Sequence, residues 1–111
     1  MILAPLVFAL LLSAEPISCS PTSNHKPLAS TSVIELLNGS EGDLAPDDET
    51  TKGDNVTQLW KLAPMAGAKI LLRCNYRDTK ESITHELPKE FRSCTKNLTN
   101  SGKRPLSIIC K

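Results

Sequence analysis

Aromatic residues are scarce in this sequence: 111 positions hold two phenylalanines, one tyrosine and one tryptophan. Phe8, Trp60, Tyr76 and Phe91 fill only a thin interior, and the length allows one small domain with no second core. A surplus of charge is missing too. Thirteen Lys and Arg stand against twelve Asp and Glu, a formal net charge of +1, so the basic excess of a dedicated nucleic-acid binder is absent. After Ala14 no apolar run approaches the roughly 20 residues of a membrane-spanning helix. The chain has no Gly-rich phosphate loop, no nucleophile elbow and no C-x-x-C pair of the kind zinc sites use. No metal or cofactor is therefore expected.

What is present begins with Met1–Ala14, MILAPLVFALLLSA, a run without a charged side chain and of signal-peptide length. It is too short to span a bilayer, and Pro5 and the lack of a polar face suit a buried helix poorly. Residues 1–18 read as a secretory signal peptide. Cleavage before Cys19 leaves a cysteine at the new N-terminus, as in bacterial lipoproteins. The leucine preferred three positions earlier is replaced by Pro16, so lipid anchoring at Cys19 is the lesser reading. The expected location is secreted or periplasmic.

An oxidising compartment changes how the cysteines read. Cys19, Cys74, Cys94 and Cys110 form an even set in a short mature chain, so two disulfides are expected, each stabilising a thin core by roughly 2–4 kcal/mol. Four cysteines permit three pairings, and the sequence leaves all three open.

Charge is segregated along the chain. Residues 35–54 carry Glu35, Glu41, Asp43, Asp47, Asp48, Glu49 and Asp54 against Lys52, a net of −6. With Gly39, Gly42, Pro46 and Gly53 among them, residues 38–57 read as a solvated acidic loop. Calcium is the sharper alternative, but Asp47-Asp48-Glu49 lacks the alternating register that folds carboxylates inward. Residues 59–111 carry eleven bases and four acids, a net of +7; these are spread out and read as a solvated face.

Residues 19–31, rich in Ser, Thr and Pro, look like an extended leader, and residues 32–111 like the domain itself. Lys69–Tyr76 is the clearest strand, with Ile70, Leu72, Cys74 and Tyr76 on one face at period two. Gln58–Leu62, Ser82–Leu87, Phe91–Lys96 and Leu106–Cys110 read as further strands, with Ile83 and Leu87 on a shared apolar side. Ser32–Leu37 fits a strand or a helical turn ending at Asn38-Gly39. The expected fold is mainly β: a small antiparallel sheet or barrel of five to six short strands, stapled by disulfides.

Catalytic chemistry lacks partners. A general base needs a nucleophile and an orienting carboxylate nearby. The two histidines are His25, in the leader, and His85, between Thr84 and Glu86; with the cysteines committed to disulfides, His85 reads as a structural or surface residue and the chain as a non-enzyme. Asn38, Asn55 and Asn97 each begin an Asn-x-Ser/Thr triplet. All three read as loop sites, open to glycosylation in a eukaryotic secretory pathway.

The order Trp60, Leu72-Arg73-Cys74-Asn75-Tyr76, Leu87-Pro88, Cys94 and Cys110, with Thr79 in the intervening hairpin, resembles a family of small secreted bacterial proteins of unknown function. The likeness runs over about residues 32–111. It departs at the start, where the family's cysteine-proline is Cys19-Ser20-Pro21. It implies compartment and fold and transfers no catalytic residue.

The functional expectation is a secreted or periplasmic binding module for a protein or envelope component, with no nucleic-acid partner. A lysozyme-inhibitor-like protein, by fold-level analogy, would use the acidic stretch around Asp47, Asp48 and Glu49. A eukaryotic secreted glycoprotein of signalling or defence is the other alternative.

Overall fold

A computed structural model describes residues 14–111. The signal-peptide reading rests mainly on residues 1–13, outside the described residues. From there the chain is all strand and turn: β1 (Ile17–Ser18), β2 (Thr22–Ser23), β3 (Lys26–Leu37), β4 (Ser40–Asp43), β5 (Asp48–Lys52), β6 (Asn55–Lys61), β7 (Lys69–Tyr76), β8 (Ser82–Glu86), β9 (Ser93–Thr99) and β10 (Ser107–Cys110). The mainly-β expectation holds, and the strands number ten among the described residues. They form two antiparallel five-stranded sheets. Sheet I has the order β1-β10-β9-β6-β5; in sheet II, β3 is flanked by β7 and then β8 on one side, and by β2 and β4 on the other.

The extra strands come from turns. Asn38 and Gly39 both have positive φ, 54° and 79°, and join Leu37 to Ser40 as opposite residues. That is the two-residue hairpin for which Asn-Gly is the strongest local signal, because its backbone twist matches that of the strands. Gly53, at φ 59°, opens a second two-residue turn between Lys52 and Asn55. The segment 38–57 is therefore not a solvated loop: it holds β4, β5 and the start of β6. The leader is corrected likewise. Asn24 and His25, at φ 51° and 67°, turn β2 back onto β3, which begins at Lys26 and runs twelve residues.

Between the sheets lies one core. Val33, Ile70, Leu72 and Tyr76 from sheet II meet Trp60, Ile108, Cys94 and Cys110 from sheet I, and Leu87 and Phe91 belong to the same cluster. The period-two face expected of Lys69–Tyr76 is all buried. Its two polar-tipped aromatics are satisfied, as buried N–H and O–H groups must be. Trp60 Nε1 donates to the Leu44 carbonyl at 2.8 Å, and the Tyr76 hydroxyl donates to the Ser20 carbonyl at 2.9 Å.

All four cysteines lie in this core. Cys19 bonds Cys74 and Cys94 bonds Cys110. The first disulfide ties the segment between β1 and β2 to β7, and so couples the N-terminal part of the chain to the centre of sheet II. The second joins directly opposed residues of β9 and β10. Ser93 and Lys111 exchange both backbone hydrogen bonds beside it, so Cys94 and Cys110 occupy the non-hydrogen-bonded position, where side chains on paired strands come closest.

Candidate interaction surface

The sequence-predicted reactive residues do not converge. His25 sits exposed in the β2–β3 turn, and His85 is half-buried on β8. No cysteine is free, and among the described residues no group of three His, Cys, Asp or Glu is arranged to hold a metal ion. Cys19 also has no thiol left for acylation while it is bonded to Cys74.

The acidic side chains are largely held in place from within. Asp47 accepts from the Lys61 backbone N–H at 2.6 Å, Asp48 lies 3.6 Å from Lys61 Nζ, and Glu49 accepts from Gln58 Nε2 at 2.6 Å. Asp54 accepts from the backbone N–H and hydroxyl of Ser101, which hold its carboxyl below the usual range. Glu41 is gripped by Arg73, whose Nη1 and Nη2 donate to the two carboxylate oxygens at 2.9 and 2.8 Å. That bidentate pair holds Glu41 below the ordinary carboxylate range and raises Arg73.

Strand alternation explains why this pair forms. Arg73 of β7 and Glu41 of β4 lie on the outer face of sheet II, with β3 between them. Ile34 occupies the β3 position they span, and it is only 1% exposed although it lies outside the central cluster. The guanidinium–carboxylate pair and the Arg73 stem thus close over an apolar residue that would otherwise face water. Sequence inspection missed this because Arg73 and Glu41 are 32 residues apart. Lys96 was missed differently. Spacing alone places it on the side of Cys94 and Leu98, and in register it stands between Gln58 and Ile108. Partial burial there pushes its ammonium pKa down.

Of the three triplets, Asn38 lies in a turn, whereas Asn55 and Asn97 lie on β6 and β9 rather than in loops. Both face outward from sheet I, and Thr57 Oγ1 donates to Asn97 Oδ1 at 3.0 Å. On this face Leu59, Thr95 and Ile109 are aligned across β6, β9 and β10.

What remains for recognition is the sheet borders. β5, and β4 and β2, bound one side of sheets I and II; β1 and β8 bound the other. β4 carries Glu41 and Asp43, and β5 carries Asp48, Glu49 and Lys52. Charges on a border discourage strand addition. β8, Ser-Ile-Thr-His-Glu, has one acid at its end and an Ile83 that is 41% exposed. The expectation that Ile83 shares the interior with Leu87 is thus half right. Leu87 is 5% exposed, but Ile83 sits on a border strand with no further strand beyond it among the described residues.

The described chain is all-β and stapled by two disulfides. The sequence model of the type VI secretion system Tli immunity protein family matches residues 22–111, and the chain belongs to that family. The resemblance seen in the sequence implied a small bacterial family, and a bacterial family is what is found. Comparison with curated proteins and with solved structures gives no match.

Proposed function

We propose that this protein is a periplasmic immunity protein, which binds a type VI effector protein and neutralises it by occupying it rather than by chemistry. The observation that carries this is the family match over nearly the whole described domain. Two buried disulfides suit an oxidising compartment such as the periplasm. Every cysteine is crosslinked, so none is free to act as a nucleophile.

The lysozyme-inhibitor-like alternative shares the inhibitor role but needs the acids around Asp47 as a contact. Those carboxylates keep their charge while accepting from the Lys61 backbone N–H and Gln58, and only Asp48 has a cation near it, Lys61 at 3.6 Å, so this reading is compatible with the inhibitor role of the family. The glycoprotein alternative loses its premise in a bacterial family, where Asn55 and Asn97 serve as outward polar residues of sheet I.

A competition between sibling cells tests the reading. Cells lacking the gene are expected to die beside siblings armed with the type VI system. An exported copy of the chain restores survival, and a copy confined to the cytoplasm does not. Equal survival with and without the gene would overturn the proposal.

A further inference from the structure

We propose that the free border of β8 is where the effector docks, through an extended effector segment added as a further strand of sheet II. This rests on the immunity reading and assigns it a surface. The ladder between β7 and β8 fixes which backbone groups are available. Leu87 N–H donates to the Ile70 carbonyl at 2.9 Å, and the register pairs Leu72 with His85 and Cys74 with Ile83. By the antiparallel alternation, Ile83, His85 and Leu87 turn their backbone groups toward β7. Ser82, Thr84 and Glu86 turn theirs outward, three N–H and three C=O groups, and among the described residues no backbone hydrogen bond engages them.

The other long borders are defended where it matters. The same alternation turns Glu41 and Asp43 of β4 outward, and Glu49 and Thr51 of β5. A carboxylate therefore stands at three of those four positions, whereas on β8 only Glu86 is charged, and Lys69 Nζ lies 3.6 Å from it. A border strand without Pro, Lys or a bulge, showing an exposed isoleucine, is an open template for β-addition.

Both ends of β8 open into recesses. Beside Ser82 and Ile83 lies a polar hollow of about 250 Å³, lined also by Lys26, Tyr76, Thr79 and Glu81. Beyond Glu86 lies a narrow apolar cleft of about 60 Å³ among Leu62, Ala68, Ile70, Leu87 and Phe91. In β-addition the main-chain bonds give affinity and flanking pockets select side chains. The segment that fits has a polar or charged residue at one end, a residue that covers Ile83, and an aliphatic residue at the other end.

A second copy fits this border worse. Antiparallel self-pairing of β8 brings the polar hollow of one copy against the apolar cleft of the other, with neither filled. What is left is a strip about 17 Å long and about 10 Å deep. That is on the order of 200 Å² per copy, against about 800 Å² per partner in a stable interface.

Proline tests the idea, because it removes one outward N–H and blocks the border without breaking a backbone bond to β7. At Thr84 it also removes the hydroxyl that accepts from Arg73 Nε at 3.0 Å, a contact that Ser82→Pro leaves in place. Thr84→Pro is compared with Thr51→Pro, the same change on the β5 border, in the sibling competition. Ser82→Pro, at the first residue of the strand, is the second variant if Thr84→Pro does not fold. Folding is verified by two intact disulfides and an unchanged melting profile. The expected result is that survival falls roughly tenfold or more for the β8 variant, the cost of a few lost main-chain bonds, while Thr51→Pro protects like wild type. Protection by a folded Thr84→Pro or Ser82→Pro variant overturns the β8 assignment and leaves the immunity reading standing. Failure of the wild-type chain to protect overturns that reading and this one with it. A wild-type dimer in sedimentation that Thr84→Pro converts to monomer assigns the border to a second copy and overturns the effector docking.

Discussion

The two disulfides differ more than their shared burial suggests. Cys94–Cys110 closes a separation of 16 residues and joins strands already laddered together; Cys19–Cys74 closes 55 residues and ties the N-terminal segment to the middle of the other sheet. The first reinforces a neighbourhood the backbone would find anyway. The second fixes a relation between distant parts of the chain that no ladder of comparable length supplies, since β1 and β2 are two residues each. A small domain thus spends one crosslink on rigidity and the other on topology.

The largest effects should come from removing the bonds themselves. In the chain-entropy picture, replacing Cys19 and Cys74 by alanine costs about 4 kcal/mol and replacing Cys94 and Cys110 about 3 kcal/mol. Urea melts of the two double variants check this. Equal losses, or a greater loss for Cys94–Cys110, would break the comparison. Proteolysis sharpens it, because only the first variant should become sensitive around residues 14–25.

Next come the polar anchors. Trp60→Phe strands the Leu44 carbonyl and should cost about 1–2 kcal/mol, and Tyr76→Phe, which releases the Ser20 carbonyl, about 1 kcal/mol. Tyr76 holds the residue next to Cys19, so its effect should shrink in the variant lacking Cys19–Cys74, whereas that of Trp60 should not. A double-mutant cycle that shows strict additivity for Tyr76 would mean that the disulfide does not position the N-terminal segment.

A third test concerns β1. Ile17 and Ser18 pair with Cys110 and Ile109, and Ile17 packs against the core. A chain that starts at Cys19 should be less stable by about 1–2 kcal/mol. The mature N-terminus is accordingly expected upstream of Ile17, by a cut near Ala14, with no lipid on Cys19. Intact mass of the protein from its own cell checks this, and a lipid adduct on Cys19 would remove Cys19–Cys74 from the comparison altogether.

The smallest effect belongs to pH. Glu41 and Asp54 have carboxyl pKa values lowered by their hydrogen bonds to Arg73 and Ser101. A carboxylate lowered in the folded state contributes stability above its unfolded pKa and loses it as pH falls through the folded one. The melting temperature should decline on acidification below the usual carboxylate range, less steeply in Glu41→Gln. Both groups are exposed, so the change is slight. An identical pH profile for Glu41→Gln would show that the pair over Ile34 serves only to cover it.

Two strands of sheet II, β7 and β8, could be read directly. Lys69–Tyr76 alternates cleanly because β7 is flanked on both sides and buries one full face, and the strand limits agree with the sequence. The hairpins at Asn38-Gly39 and Gly53-Asp54 were written in the chain too, but seven acids around them suggested solvent rather than strand. Charge density misleads there because both strands are sheet borders, exposed along their whole length, where carboxylates are tolerated. The candidate surface was hidden for the opposite reason. Ile83 and Leu87 look alike in sequence, and only the absence of a strand beyond β8 leaves one of them in water.

The sequence by itself determined that this chain is β-rich and that its four cysteines are an even set fit for two disulfides, because side-chain period and cysteine number are local properties. Only the tertiary structure decided which cysteines meet, which acids are answered, and which border is left open. These depend on residues 9 to 55 positions apart being brought together, and a linear pattern carries no record of that closure.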